Sequence, residues 1–308
     1  MFRFVVRRLV LATALVCVVV VLVFFALRVV PGDPARLVAG EGAGEQEVRA
    51  VRGAMGLDDP LPVQLVRFLA GVVAGDLGTS LRSGRAVREE IARAFPVSLS
   101  LVASGMFLSG AVGVTGGMLA AVVAGSRSDR LLTGAAAVAA SVPAFLTGTL
   151  LLVWFAGKLR WFPAGGFQSV WHLALPVATL VVSEGAVILR VARGAAAEVV
   201  CSEYVRTAVA KGLGSARVLS RHVLPNVVVP VLALWVADFG RLLGGAVVIE
   251  SLFALPGMGY LAVEAVRYRD YPLLQGVVLT LCASAVMAGA VGDLVAGLVD
   301  PRLQRGDG

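Results

Sequence analysis

Long uncharged runs alternate with short charged segments along this chain. Positions 9–27 carry no charge over 19 residues, 94–126 none over 33, and 131–157 none over 27. Positions 161–183 are also uncharged, and the apolar character continues to Leu189. Positions 227–249 are broken by Asp238 and Arg241, and 271–299 only by Asp293. A helix needs about 20 mostly apolar residues to cross the hydrocarbon layer, where no water satisfies the backbone. The pattern predicts six transmembrane helices. The first run exceeds the roughly 7–15 residues of a signal-peptide core, so it is expected to remain as a span.

The segments between the runs carry their own periodicity. Positions 45–55 read as a short helix ended by Gly56. In 63–73, Val66, Leu69 and Val73 fall at i, i+3 and i+7 and form one apolar face. In 87–95, Glu89 and Arg93 pair at i, i+4. Pro60, Pro62, Gly71, Gly75, Gly78 and Gly84 mark turns. The expectation is a small helical cap on the outer membrane surface. Positions 193–225 are too polar to span and too long for a simple turn. Within them, 202–211 reads as a short helix closed by Gly212 and Gly214. The expected organisation is a terminus and first span (1–30), an external cap (31–95) and a five-helix core (96–303) holding a loop at about 198–225.

Composition agrees with this reading. Hydrophobic residues reach 58%, charged residues only 15%, and the mean hydropathy is +0.88. A soluble domain is roughly 45–50% apolar with glycine counted, and about 25% charged. A disordered chain, a collagen-like fibre and an ordinary soluble enzyme are excluded. The net charge of +7 and pI near 10.0 would suit nucleic acid, but the charges lie between apolar runs rather than on a stripe. Thirteen basic residues sit at the termini, at 127–130 and at 190–221, against four in the two short loops of the other side. The positive-inside rule then places both termini in the cytoplasm. The 31–95 segment is nearly balanced, with eight arginines and nine acids.

Candidate chemistry is sparse. Cys17, Cys201 and Cys282 show no CxxC spacing, and His172 and His222 are far apart; neither a metal set nor a catalytic set is expected. No G-x4-G-K-[ST] loop is present, since Leu159 follows Gly157-Lys158 and Ala210 precedes Lys211. Glu184, Asp238, Arg241 and Asp293 are costly at membrane depth and should face a cavity or a partner charge. Asp238 and Arg241, at i, i+3, can equally neutralise each other. Gly113 and Gly117, and Gly240 and Gly244, form GxxxG pairs that favour helix contacts.

Several motifs together resemble one family. Arg206-Thr207-Ala208, three residues, Gly212, nine residues and His222-Val223-Leu224-Pro225 are similar to the EAA loop of binding-protein-dependent ABC importer permeases. Arg-Thr replaces Glu-Ala and His222 replaces Ile, as in the peptide-import branch, whose Y-V-R-T-A-x-A-K-G fits Tyr204 to Gly212 directly. Further resemblances run in order: Val30-Pro31-Gly32-Asp33-Pro34, Gly56 to Gln64, Gly75 to Ser80, Gly245 to Glu250, Phe253 to Gly259, Asp270-Tyr271-Pro272 and Asp300-Pro301-Arg302. Arg241 and Ala296 depart from the usual pattern. The resemblance is to the dipeptide/oligopeptide/nickel permease family, in its B-type subunit class.

The resemblance implies an all-α polytopic membrane protein of the type I importer permease fold, in a bacterial or archaeal plasma membrane. It implies a second permease subunit as a heterodimer partner, two cytoplasmic ATPase subunits holding ATP and Mg2+, and an external substrate-binding protein. No cofactor is expected on this chain itself. The ATPase-coupling residues implied are Glu203, Tyr204, Arg206, Thr207, Ala208, Lys211, Gly212, Leu213, Leu224 and Pro225, with Gly212→Asp expected to abolish transport but not insertion. The candidate pathway residues are Ser141, Pro143, Phe145, Glu184, Asp238, Arg241 and Glu250. The binding-protein side is expected at Asp33, Asp58, Asp59, Asp76, Phe253, Pro256 and Asp270. Di- and oligopeptides are the expected cargo, with nickel or metallophore complexes and other small solutes as the alternative. A stand-alone secondary transporter using the intramembrane acids, and an intramembrane Ser–His enzyme, fit the residues less well. Neither needs a docking segment, and the histidines sit at span ends.

Overall fold

The computed structural model describes residues 2–29, 34–39, 42–54 and 56–299. Asp33 and the 300–302 motif lie outside the described residues. The described chain is helical, with a single isolated bridge between Thr79 and Ala86. α1 (Phe2–Val29), α2 (Pro34–Ala39), α3 (Glu45–Ala54) and α4 (Leu61–Ala74) come first. α5 (Val87–Val122), α6 (Arg127–Ser141) and α7 (Ala144–Leu151) follow, the last running into a π-helical turn, Leu152–Lys158. A 3-10 turn, Val170–Leu173, leads into α8 (Ala174–Val200). Then come α9 (Glu203–Ala210), α10 (Ser215–Val218), α11 (Leu224–Leu252), α12 (Met258–Arg267) and α13 (Tyr271–Val299). Among the described residues, four helices are long and apolar enough to cross a membrane, or five if the bent α6–α7 pair counts as one span.

Three differences from the sequence reading have physical causes. The short helix expected at 87–95 does not end; α5 runs unbroken through Pro96 for 36 residues. Its first turns bury Val87, Ile91 and Ala94 against Met258, Leu273 and Val277, which holds the helix together where proline removes one bond. The expected span at 131–157 is broken, with α6 and α7 bent by 101°. Pro143 disfavours helical backbone at the residue before it, and Val142 is extended at φ −84°, ψ 126°. The run at 161–183 is not helical until Val170. The helix then continues to Val200, so Arg190 and Arg193 lie on α8 rather than in a loop.

The core sits where α5 crosses α8 and α11. Leu101, Val102, Leu180, Leu243, Ile249 and Phe253 are buried there. Small residues on α5 allow the close α5–α8 approach: a Cβ on Gly117 would lie 2.6 Å from the Leu189 carbonyl oxygen. Of the second glycine pair, Gly240 packs on Ala285 of α13, whereas Gly244 meets nothing. The cap packs on α1 through a different face from the one its periodicity suggests. Phe68 lies 5.7 Å from Phe24, while Val66 and Val73 are exposed. Gln64 is buried instead and donates to the Leu57 and Asp59 carbonyls at 3.1 and 2.8 Å.

Candidate functional site

The most distinctive element is α9, a short helix projecting between the long helices α8 and α11. Val205 and Ala208 are one turn apart and buried. Val205 belongs to a cluster with Ala121, Ala192, Ala196, Val218 and Val223. The opposite face carries exposed Glu203, Tyr204, Arg206, Thr207 and Val209. Arg206 pairs with Glu203 at 3.3 Å. Asn226 ties the start of α11 to this element, donating to the His222 carbonyl at 2.7 Å and to Tyr204 Oη at 3.4 Å.

The helix ends in a Schellman cap. The Leu213 N–H donates to the Ala208 carbonyl at 3.2 Å and the Gly212 N–H to the Val209 carbonyl at 2.9 Å. Gly212 has φ +82°, a left-handed conformation that costs a side-chain-bearing residue about 1–2 kcal/mol. A Cβ there would point into open space. Of the ten residues singled out here, Ala208 and half-buried Leu213 hold the helix. Glu203, Tyr204, Arg206, Thr207, Lys211, Gly212 and Pro225 are exposed, and Leu224 is half-buried. Beside α9 lies an apolar groove of about 450 Å3, lined by Val122, Val200, Val209, Val218 and Leu219 with Arg206 at its edge.

An ion pair at the same end escaped the sequence reading. Arg193 Nε and Nη2 donate to the two Asp129 carboxylate oxygens at 2.7 and 2.6 Å. The Gly125 N–H adds a third bond at 2.9 Å, and Ser126 caps α6 by accepting from the Asp129 N–H. The Ser126-x-x-Asp129 spacing was the available signal; its Arg193 partner, 64 residues away, was not. Asp129→Asn retains an acceptor for Gly125 but loses the bidentate pair. It is expected to lower the thermal unfolding temperature of detergent-purified protein, read by fluorescence-detected size exclusion after heating; an unchanged midpoint would show that the pair contributes nothing.

Within the bundle three of the charges expected at membrane depth, Glu184, Asp238 and Arg241, come together. Arg241 Nε donates to Asp238 at 2.8 Å and its Nη2 to Glu184 of α8 at 2.9 Å. Neutralisation at i, i+3 is therefore only part of the arrangement. Ser141, Pro143 and Phe145 lie at the α6–α7 bend, all exposed. Glu250 stands apart and fully buried. It accepts from Ser98 Oγ at 2.6 Å and from the Gly259 and Tyr260 N–H groups at 2.7 and 3.1 Å. Ser98 Oγ in turn accepts from the Met258 N–H at 2.7 Å. These bonds make a buried structural knot.

At the end opposite α9, Asp270 is buried and accepts from Ser80 Oγ at 2.5 Å and from the Arg82 N–H at 3.2 Å. It also caps α13 through the Leu273 N–H at 3.2 Å. Arg82 pairs with Glu264 and lies over the Tyr268 ring at 3.7 Å. These contacts latch the segment before α5 onto the α12–α13 turn. Phe253 is buried like Asp270, whereas Asp58, Asp76 and Pro256 are exposed and Asp59 pairs with Arg67 at 2.6 Å. Among the described residues no group of His, Cys, Asp and Glu is arranged to hold a metal ion.

The described chain is a helical bundle with a short exposed helix seated between two of its long helices. The chain belongs to the family described as the binding-protein-dependent transport system inner membrane component, which matches residues 113–305; the corresponding N-terminal family matches residues 1–102. It is 38% identical to the probable peptide ABC transporter permease protein y4tP of Sinorhizobium fredii, over 98% of this chain and 99% of that one. It is likewise 38% identical to the glutathione transport system permease protein GsiC of Salmonella paratyphi A, over 99% of each chain. A solved structure described as inward facing conformations of the MetNI methionine ABC transporter shares the fold. Its TM-score is 0.58 at 16% identity, covering 68% of this chain and 96% of that one. The chain is accordingly a multi-pass plasma-membrane permease subunit of an ABC importer. Its family works with a substrate-binding protein and an ATPase.

Proposed function

We propose that this permease forms half of a translocation pathway for peptides, paired with a different second permease. In this reading α1 completes six spans and both termini are cytoplasmic, as the distribution of basic residues favours. Two cytoplasmic ATPase subunits carry ATP and Mg2+, and this chain performs no hydrolysis itself. An external binding protein delivers the cargo to the face bearing Asp58, Asp76 and Pro256. The observation that carries the reading is α9, whose buried Val205 and Ala208 leave Glu203, Tyr204, Arg206 and Thr207 free to seat in an ATPase cleft. ATP-driven closure of the ATPases then moves α8 and α11 as rigid bodies and alternates access. The peptide and glutathione permeases among the relatives support short peptides as cargo, glutathione itself being one.

Affinity purification from native membranes followed by reconstitution tests this reading. The expected result is co-purification of an ATPase, and ATP-dependent uptake that peptide-loaded binding protein stimulates. Uptake driven by a proton gradient in vesicles lacking any ATPase would overturn it in favour of a secondary transporter.

A further inference from the structure

The Glu184–Arg241–Asp238 cluster has three properties that a lipid-facing or purely structural ion pair does not combine. The first is depth. At 1.5 Å per residue, Asp238 lies about 21 Å along α11 from its start and Arg241 about 17 Å from its end, while Glu184 lies about 15 Å into α8. All three lie far from the ends of their helices. The second is exposure. Arg241 is 57% exposed, with Glu184 at 16% and Asp238 at 22%. Arg241 stands on a continuous exposed stripe of α11 formed by Ala233, Ala237, Arg241, Gly244 and Val248, at helical spacing. An arginine at the bilayer centre costs about 2.5–3.5 kcal/mol against lipid, and small residues beside it invite close approach by something other than acyl chains. In the proposed two-permease assembly the stripe is read as facing the route between the subunits rather than lipid. The third is charge. Two carboxylates share one guanidinium, so the cluster keeps one negative charge. Arg241 bonds one oxygen of each acid. The second oxygens, Oδ2 of Asp238 and Oε1 of Glu184, are left to accept from something else.

We infer that this cluster is a mid-membrane specificity element selecting a basic side chain on the transiting peptide. The inference rests on the peptide-import reading. Arg241 is a positioning residue that holds the two acids side by side, and the acids are the recognition groups. The cluster thereby discriminates between cargoes by side-chain charge rather than by sequence.

The test uses the complete complex with its ATPases, reconstituted in liposomes and supplied with saturating loaded binding protein. Uptake is measured for a lysine-containing and an aspartate-containing peptide of equal length. Dividing each variant's uptake ratio by that of the wild type removes the binding protein's own preference. Glu184→Gln and Asp238→Asn are each expected to lower the cationic-to-anionic ratio about threefold or more, and Arg241→Gln to raise it by a similar factor. Glu184→Asp, which retains the charge, should keep the ratio near wild type. If all variants slow both peptides equally, the cluster is only a structural tie and the inference falls while peptide import stands. If one variant fails to assemble, the direction of the ratio in the others still decides. A wild-type complex that moves neither peptide would overturn the import reading, and this inference with it.

Discussion

Gly212→Val is expected to reduce ATP-dependent uptake at least about tenfold while leaving the protein in the membrane at wild-type levels. Gly212 holds φ +82° to close the Schellman cap of α9, and a β-branched residue is a true outlier in that region. Relieving the strain unwinds the last turn and turns Leu213 out of its half-buried seat. The cost of about 1–2 kcal/mol falls on a two-turn element rather than on the bundle, so folding survives and docking does not. Gly212→Asn, which tolerates the left-handed conformation, is expected to retain most of the uptake. Gly212→Asp tolerates the same backbone but adds a carboxylate to an open surface, and is expected to lose uptake as Val does. Quantitative blotting of membranes alongside uptake separates insertion from coupling. Uptake by Gly212→Asp equal to that of Gly212→Asn would remove position 212 from the ATPase contact, and normal uptake by the Val variant would remove the cap from the mechanism.

Glu250→Ala is expected to be the most destabilising single change in the described core, costing about 3–5 kcal/mol. Three donors converge on this fully buried side chain: Ser98 Oγ, and the N–H groups of Gly259 and Tyr260. Glu250→Gln keeps one acceptor oxygen but turns an amide toward N–H donors, so an intermediate loss is expected. The two glycines of the Pro256-Gly257-Met258-Gly259 turn belong to the same knot. A Cβ on Gly257 would lie 2.5 Å from the Glu250 carboxyl carbon, and one on Gly259 would lie 2.4 Å from Val247 Cα. Thermal midpoints and the monodisperse fraction by size exclusion check the order wild type, Gln, Ala. A Glu250→Ala protein that melts with the wild type would refute the knot.

Much of this was legible in the residue pattern, and unevenly so. The α9 helix was readable to within a residue, because its start at Ser202, its buried i, i+3 pair and its closing glycine are all local signals. The α13 boundaries followed in the same way from an apolar run broken only by Asp293. Val66 and Val73 misled because an apolar face marks what could be covered, and in the described structure Phe68 is the contact instead. The run at 131–157 misled because absence of charge counts residues but not direction; a single proline turned it by 101°. The three donors to Glu250, contributed by Ser98 and by a turn nine residues on, were not readable from its local sequence.

The sequence by itself determined the apolar solvent, the helical class and the position of the short α9 helix. Each of these depends on periodicity, composition or a local cap, properties that neighbouring residues carry without reference to the rest of the chain. Only the tertiary structure decided which charges meet. Arg241 with Glu184 across 57 residues, Arg193 with Asp129 across 64, and Ser80 with Asp270 across 190 are pairings set by helix packing. Packing distance is a property of the whole bundle that no stretch of sequence contains.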